Sequence, residues 1–179
     1  MSAGVYAEGR GVAMAWEEYE HGTGDQRGDY VDGVFWPMNA PRKSHQRALF
    51  RLKLALDAAL APGFETVLEW AWKPDRSEWS PDVMVVPETD EDVRFTGTPL
   101  LIAEVLSSNR DDDLVRKSNR YARAGLPRFW LLDPRDRFLD ALVQVDGEWR
   151  RAARAVDDEE VELDTGAGLV RISPAALLD

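Results

Sequence analysis

The sequence predicts an α/β fold of the mixed α+β kind: a central mixed sheet flanked by helices, with additional C-terminal strands. Three observations carry this. Residues 44–60 place Leu49, Leu52, Leu56 and Leu60, with Ala48, Ala55 and Ala59, at helical spacing. Two short apolar runs, 100–106 and 128–132, bracket a helical stretch, the pattern of a parallel strand pair joined by a crossover helix. Runs on either side of Asp146-Gly147 read as a hairpin late in the chain.

In chain order, residues 1–13 read as a loose, flexible start, and residues 14–179 as a single domain. Trp16 to Tyr19 suit a short helix broken by His21-Gly22-Thr23-Gly24. Residues 29–36 suit a strand turning at Asp32-Gly33. Ser44 is the expected N-cap of the leucine helix, and Pro62-Gly63 its stop. Strands follow at 66–72, 83–86 and 100–106. Residues 73–80 are expected to join the first two as a hairpin, and 88–98 to form an acidic surface loop. A second helix over 111–124 opens on three aspartates, suited to the positive end of its dipole, and ends at Gly125 and Pro127. Strands at 128–132, 138–145 and 148–155 come next, then an acidic run at 157–160 and a last strand near 168–172.

With 179 residues, 44% hydrophobic and 31% charged, the chain has the composition of a soluble globular protein able to bury a sizeable core. No run approaches the ~18 apolar residues of a membrane span, and the first ten residues do not read as a secretory signal. The absence of cysteine excludes disulfides and thiolate chemistry and fits a cytoplasmic protein. A net charge of -11 opposes strong non-specific binding to nucleic acid, yet residues 41–60 carry +4 and residues 104–137 carry +2. Both basic stretches hold predicted helices, so a local basic face is compatible with an acidic protein.

Glu104 is the chemical anomaly, an acid inside an otherwise apolar strand. A buried carboxylate needs a cation, a metal or solvent at a cleft. Lys117 falls on the apolar face of the second helix with Leu114 and Tyr121, and that helix follows the Glu104 strand. Asp82 opens a strand expected to lie beside it. Two converging carboxylates form a hard oxygen site suited to Mg²⁺ or Mn²⁺, and a nearby lysine can hold water or stabilise a phosphorane-like transition state. Structural readings compete: Pro81-Asp82 as a plain turn, Glu104 and Lys117 as a buried ion pair, His45 as a packed or capping residue. Glu69 and Asp29 share that ambiguity. Trp70, Trp72 and Trp79 read as core or hairpin packing before base stacking.

The ordered set Asp29-Tyr30-Val31-Asp32-Gly33, His45-Gln46, Pro81-Asp82-Val83, Glu104-Val105-Leu106-Ser107, Asp113 to Lys117, Tyr121-Ala122-x-Ala124-Gly125 and Trp130-x-x-Asp133-Pro134 resembles a large bacterial family of "putative restriction endonucleases" of unknown function. The resemblance covers about residues 14 to 175 and places the chain in the PD-(D/E)XK nuclease superfamily. It implies a restriction-endonuclease-like sheet, with Asp82 and Glu104 as metal-binding acids. The superfamily lysine normally lies two residues after the second acid, where this chain has Leu106, and the resemblance points instead to Lys117. Asp29 falls where the family usually has glutamate, and His45 matches a common family histidine. The usual Ser-Pro is Ser107-Ser108 here, with one residue fewer before the helix.

The expectation is a Mg²⁺- or Mn²⁺-dependent nuclease or phosphodiesterase. Asp82, Glu104 and the Val105 carbonyl would hold the metal and Lys117 would position water, with Asp29, His45 and Glu69 in support. DNA or another nucleic acid is the expected partner, no membrane is involved, and a homodimer would let the protein meet two strands. The rivals are a catalytically inactive nuclease-fold binding module and a hydrolase of a small phosphodiester.

Overall fold

The computed structural model describes residues 10–22, 27–38, 40–106 and 110–179, with residues 110–116 described by their backbone alone. The elements begin with β1 (Val12–Ala13), α1 (Trp16–Glu20), β2 (Gly28–Val31), β3 (Val34–Pro37) and α2 (Lys43–Asp57). Then come β4 (Phe64–Leu68), β5 (Ala71–Trp72), β6 (Val83–Pro87), β7 (Arg94–Phe95), β8 (Leu101–Val105) and α3 (Arg110–Arg123). The chain closes with β9 (Arg128–Asp133), β10 (Phe138–Val145), β11 (Glu148–Val156), β12 (Val161–Asp164), β13 (Leu169–Ile172) and α4 (Pro174–Leu178). Two compact units result: Met1–Pro41, Ala71–Ser80 and Glu91–Gly97 in the smaller, and Arg42–Trp70, Pro81–Asp90 and Thr98–Asp179 in the larger.

The larger unit is built on a six-stranded sheet in the order β11-β10-β9-β8-β6-β4. It is mixed: β8 and β9 run parallel across the α3 crossover, and the other pairs are antiparallel. Side chains alternate across a strand. Leu101, Ala103 and Val105 of β8 therefore join Val83 and Val85 in a core with Ala48, Leu49, Leu52 and Leu56 of α2. Alternation sends Glu104 the other way, to the side where Tyr121 of α3 reaches it. All five β8 residues are buried, as expected of a central strand covered on both faces.

Local chemistry explains most boundaries. Asp32-Gly33 and Asp146-Gly147 both have positive φ at both positions (51° and 80°, 54° and 83°), the backbone of a type I′ hairpin turn. Gly125, at φ 79°, follows α3 where a left-handed residue ends a helix. Gly168 faces the Ala59 carbonyl so closely that a Cβ has no room.

Several expectations change. The N-cap of α2 is Arg42, without a side-chain capping bond, and Ser44 lies inside the helix. The strand expected over 66–72 is two strands, because Glu69 takes φ 50° and ends β4. β4 and β6 do pair antiparallel, but residues 71–80 between them belong to the smaller unit rather than forming a tight hairpin loop. The acidic loop over 88–98 contains β7, which pairs with β5 in parallel. The pair β12 and β13 and the helix α4 extend the C-terminal region. Ser173 caps α4, accepting the Ala176 N–H at 3.3 Å, with Pro174 in its first turn. The loose start falls outside the described residues up to residue 9, whereas Val12 and Ala13 pair with Phe35 and Val34. Thr23-Gly24, Ser107-Ser108 and the side chains of the α3 aspartates also lie outside the described residues.

The smaller unit holds a three-stranded antiparallel sheet in the order β1-β3-β2. Its apolar centre is Met14, Tyr30 and Phe35 with Trp16 and Tyr19, and the Tyr19 ring stacks on Tyr30 at 4.8 Å. Trp72 and Trp79 are buried against each other, edge to face, with centroids 5.1 Å apart. Among the described residues, no helix is long and apolar enough to cross a membrane.

Candidate metal and phosphodiester site

Strand register assembles the site. In the β6–β8 pair Val83 lies opposite Ala103, and one further step sets Asp82 opposite Glu104. In the β4–β6 pair Leu68 lies opposite Val83, and the next step sets Glu69 opposite Asp82, whose carbonyl accepts the Glu69 N–H at 3.0 Å. Three acids thus occupy one level across three neighbouring strand ends.

The Asp82 carboxylate is held at both oxygens. Oδ1 lies 3.2 Å from His45 Nε2, delivered by the first turn of α2, and Oδ2 accepts the Val105 N–H at 2.8 Å. The bond at Oδ2 ties the end of β6 to β8 beyond their last paired residues. Asp82 is therefore more than the turn residue its Pro-Asp setting allowed.

Glu104 is also held at both oxygens, by α3. Lys117 Nζ lies 2.9 Å from Oε2, and the Tyr121 hydroxyl donates to Oε1 at 2.8 Å. The side chains of Glu104 and Lys117 are 7% and 9% exposed, so this is a buried ion pair. Burial drives the Glu104 pKa up from 4.5 to about 7; the Lys117 charge works against that rise, the nearby Asp82 charge adds to it, and the hydrogen bonds from Lys117 and Tyr121 oppose it. At His45 burial disfavours the imidazolium. The hydrogen bond and charge of Asp82, with the charges of Glu104 and Glu69, outweigh burial and raise its pKa.

Asp82, Glu104, Lys117, His45 and Glu69 all belong to the larger unit. Val105 meets Asp82 through its amide. Asp29 lies in β2 of the smaller unit, buried, where its Oδ1 accepts the Ser80 N–H at 3.0 Å. Tyr121 enters the constellation as a hydroxyl donor, whereas its helical position marked it only as apolar. The available signal was its spacing of four residues from Lys117, which stacks the two on one helix face.

Among the described residues no group of three or more His, Asp or Glu side chains is gathered as a metal cage. The donor set is two carboxylates whose charges sense each other. That fits Mg²⁺, which is commonly held by one or two carboxylates with water and substrate phosphate completing its shell. It does not fit a structural zinc site, which takes nitrogen and sulfur ligands.

The six-stranded mixed sheet, with its parallel strand–helix–strand unit, is the architecture of a nuclease-like fold. The chain belongs to the Uma2 family, described as "Putative restriction endonuclease", whose model matches residues 16–175. In structure it is similar to the crystal structure of "a putative nuclease belonging to DUF820" from Anabaena variabilis. That match has a TM-score of 0.71 at 16% identity and covers 90% of this chain and 96% of that one. At that identity the likeness speaks to the fold. No curated protein matches the chain.

Proposed function

We propose that the protein is a divalent-metal-dependent nuclease, hydrolysing phosphodiester bonds of nucleic acid. The observation that carries this reading is the placement of Asp82 beside Glu104 at adjacent strand ends, with Lys117 delivered to Glu104 from the next helix. Asp82 and Glu104, with the Val105 carbonyl, would hold Mg²⁺ or Mn²⁺. Bound there, the ion would neutralise phosphate charge and lower the pKa of a water.

The chain's own residues have distinct tasks. The Val105 N–H fixes one Asp82 oxygen, and His45 holds the other. Glu69 adds negative charge that favours the protonated His45. Lys117, on Glu104 at present, is the cation available to orient a water or stabilise negative charge on the phosphorane-like transition state. Asp29 is assigned to structural support, through its bond to Ser80. Family membership supports nucleic acid as the partner, and a cytoplasmic setting and a homodimer are part of the same proposal.

Calorimetric titration of Mn²⁺ into the wild type and Asp82→Ala tests the site: equal binding by the two refutes it. Cleavage assays with single- and double-stranded DNA and RNA in Mn²⁺ test the reaction. The net charge of -11 and the closed Glu104–Lys117 pair favour a second reading, a nuclease-fold binding module without catalysis. On that reading no nucleic acid is cut, and Lys117→Ala changes stability alone. A small phosphodiester as substrate is the third outcome, read by hydrolysis of bis(p-nitrophenyl) phosphate with nucleic acids left intact.

A further inference from the structure

We infer that Tyr121 is a positioning residue that orients Glu104 for a divalent cation. This rests on reading Asp82 and Glu104 as the cation-binding pair. Lys117 and Tyr121 are one helical turn apart on α3 and take one Glu104 oxygen each, at 2.9 and 2.8 Å. A carboxylate offers about four lone-pair sites, so one donor on each oxygen fixes the plane of the group and leaves acceptor capacity for a metal. The two donors differ in charge. Lys117 brings a positive charge that competes with a cation for Glu104. Tyr121 brings a neutral O–H, which fixes the carboxylate without that competition.

The surroundings hold this hydroxyl in place. The Tyr121 ring is fully buried and meets Phe129 edge to face, with centroids 5.4 Å apart and planes at 86°. Phe129 in turn packs on Trp149, whose indole N–H donates to the Ser118 carbonyl of α3 at 2.8 Å. Gln144 donates to the Ala122 carbonyl at 2.6 Å. The β10–β11 hairpin therefore pins the register of α3 on both sides of Tyr121. Packing alone requires a ring at this position. The hydroxyl, buried and aimed at an acid on the central strand, satisfies one Glu104 oxygen and sets the orientation in which the carboxylate would meet a cation.

The test is Tyr121→Phe, which removes the hydroxyl and keeps the ring. Mn²⁺ is titrated into both proteins by calorimetry, with circular dichroism confirming the fold. A group that orients a metal ligand is worth about 10–100-fold in metal affinity, and a loss in that range is expected. In parallel, ¹⁹F NMR of the wild type labelled with 3-fluorotyrosine follows Tyr121 as Mg²⁺ is added, and its resonance is expected to shift. Wild-type binding that Tyr121→Phe leaves unchanged overturns this inference alone. Absence of binding by the wild type overturns the metal reading and this inference with it. Should Tyr121→Phe fail to fold, the ¹⁹F signal decides, assigned by elimination among the four tyrosines with Tyr6→Phe, Tyr19→Phe and Tyr30→Phe. A Tyr121 resonance unmoved by saturating Mg²⁺ refutes the role.

Discussion

Replacing Lys117 by methionine tests the energetic core of the site. Methionine keeps most of the apolar stem and removes the ammonium, with its charge and its hydrogen bond to Glu104. Lys117 Nζ and Glu104 Oε2 are 2.9 Å apart. At an effective dielectric constant near 20, charges at that distance attract by about 6 kcal/mol, before the cost of desolvating both. Losing one partner of a buried pair costs about 3–5 kcal/mol, because the remaining charge is left without compensation. For a chain of this size that corresponds to a fall in melting temperature of roughly 6–20 °C. The assay is urea denaturation of wild type and variant across pH.

The sign follows from Glu104, whose folded pKa is raised to about 7 from 4.5. Between those values the folded state binds more protons than the unfolded one, so stability contributed by this group falls as pH rises. Without Lys117 the folded pKa climbs further. The deficit of Lys117→Met should therefore be smallest below about pH 6, where Glu104 is protonated in both folded proteins, and should grow as pH rises through about 7 towards the variant's higher folded value. The double variant Glu104→Gln/Lys117→Met is neutral, and its amide oxygen can still accept from Tyr121. It should recover most of the loss. A deficit that stays below about 1 kcal/mol up to pH 9, or one that ignores pH, refutes the buried-pair argument.

Three further outcomes follow from the geometry. His45→Gln should lose stability relative to wild type most at pH values below 6.5 and least at alkaline pH, because a raised histidine pKa contributes stability that is lost as pH rises through the folded value; urea midpoints from pH 5.5 to 9 measure this. Trp149→Phe deletes the bond to the Ser118 carbonyl and should cost about 1 kcal/mol, with faster amide hydrogen exchange in α3 near Tyr121. Ser173→Ala removes the cap of α4 and should cost about 0.5–2 kcal/mol by chemical denaturation.

Much of the larger unit was legible because its signals are local or periodic. The leucine stripe of α2, the apolar β8 and β9 runs around a helix, and the Asp146-Gly147 turn each state their structure within a few residues. The break at Glu69 was not legible. A β-type sequence over 66–72 gives no warning that one residue takes φ 50° and that the chain then pairs with β7, more than 20 residues on. Long-range parallel pairing of two-residue strands leaves no periodic trace. At the site, the oddity of Glu104 pointed to Lys117 because a buried charge demands a partner. The His45–Asp82 contact spans 37 residues between a helix start and a strand start, and nothing in spacing predicts it. Tyr121 was hidden by its own dual nature: a tyrosine on an apolar helix face reads as packing, and its hydroxyl needs the three-dimensional register to show its target.

On the proposed function, the two readings of Glu104, metal ligand and half of a buried ion pair, would be successive demands on one group. A carboxylate on a central strand is costly to bury without a counter-charge, and here the raised pKa records that cost even with Lys117 in place. Without a cation bound, the strand needs an internal partner for its acid. Lys117 meets that need from a helix, outside the sheet itself. A divalent ion at Glu104 and Asp82 would then supply the positive charge that Lys117 supplies at present, and would weaken the hold of the carboxylate on the ammonium. The neutral Tyr121 hydroxyl can stay on Glu104 in both situations. Adding metal should therefore stabilise Lys117→Met more than wild type, because in the variant the ion fills an uncompensated charge. Equal stabilisation of the two by Mg²⁺, measured as the shift in melting temperature at one concentration, would separate the ion pair from the metal site and leave Lys117 a purely structural partner.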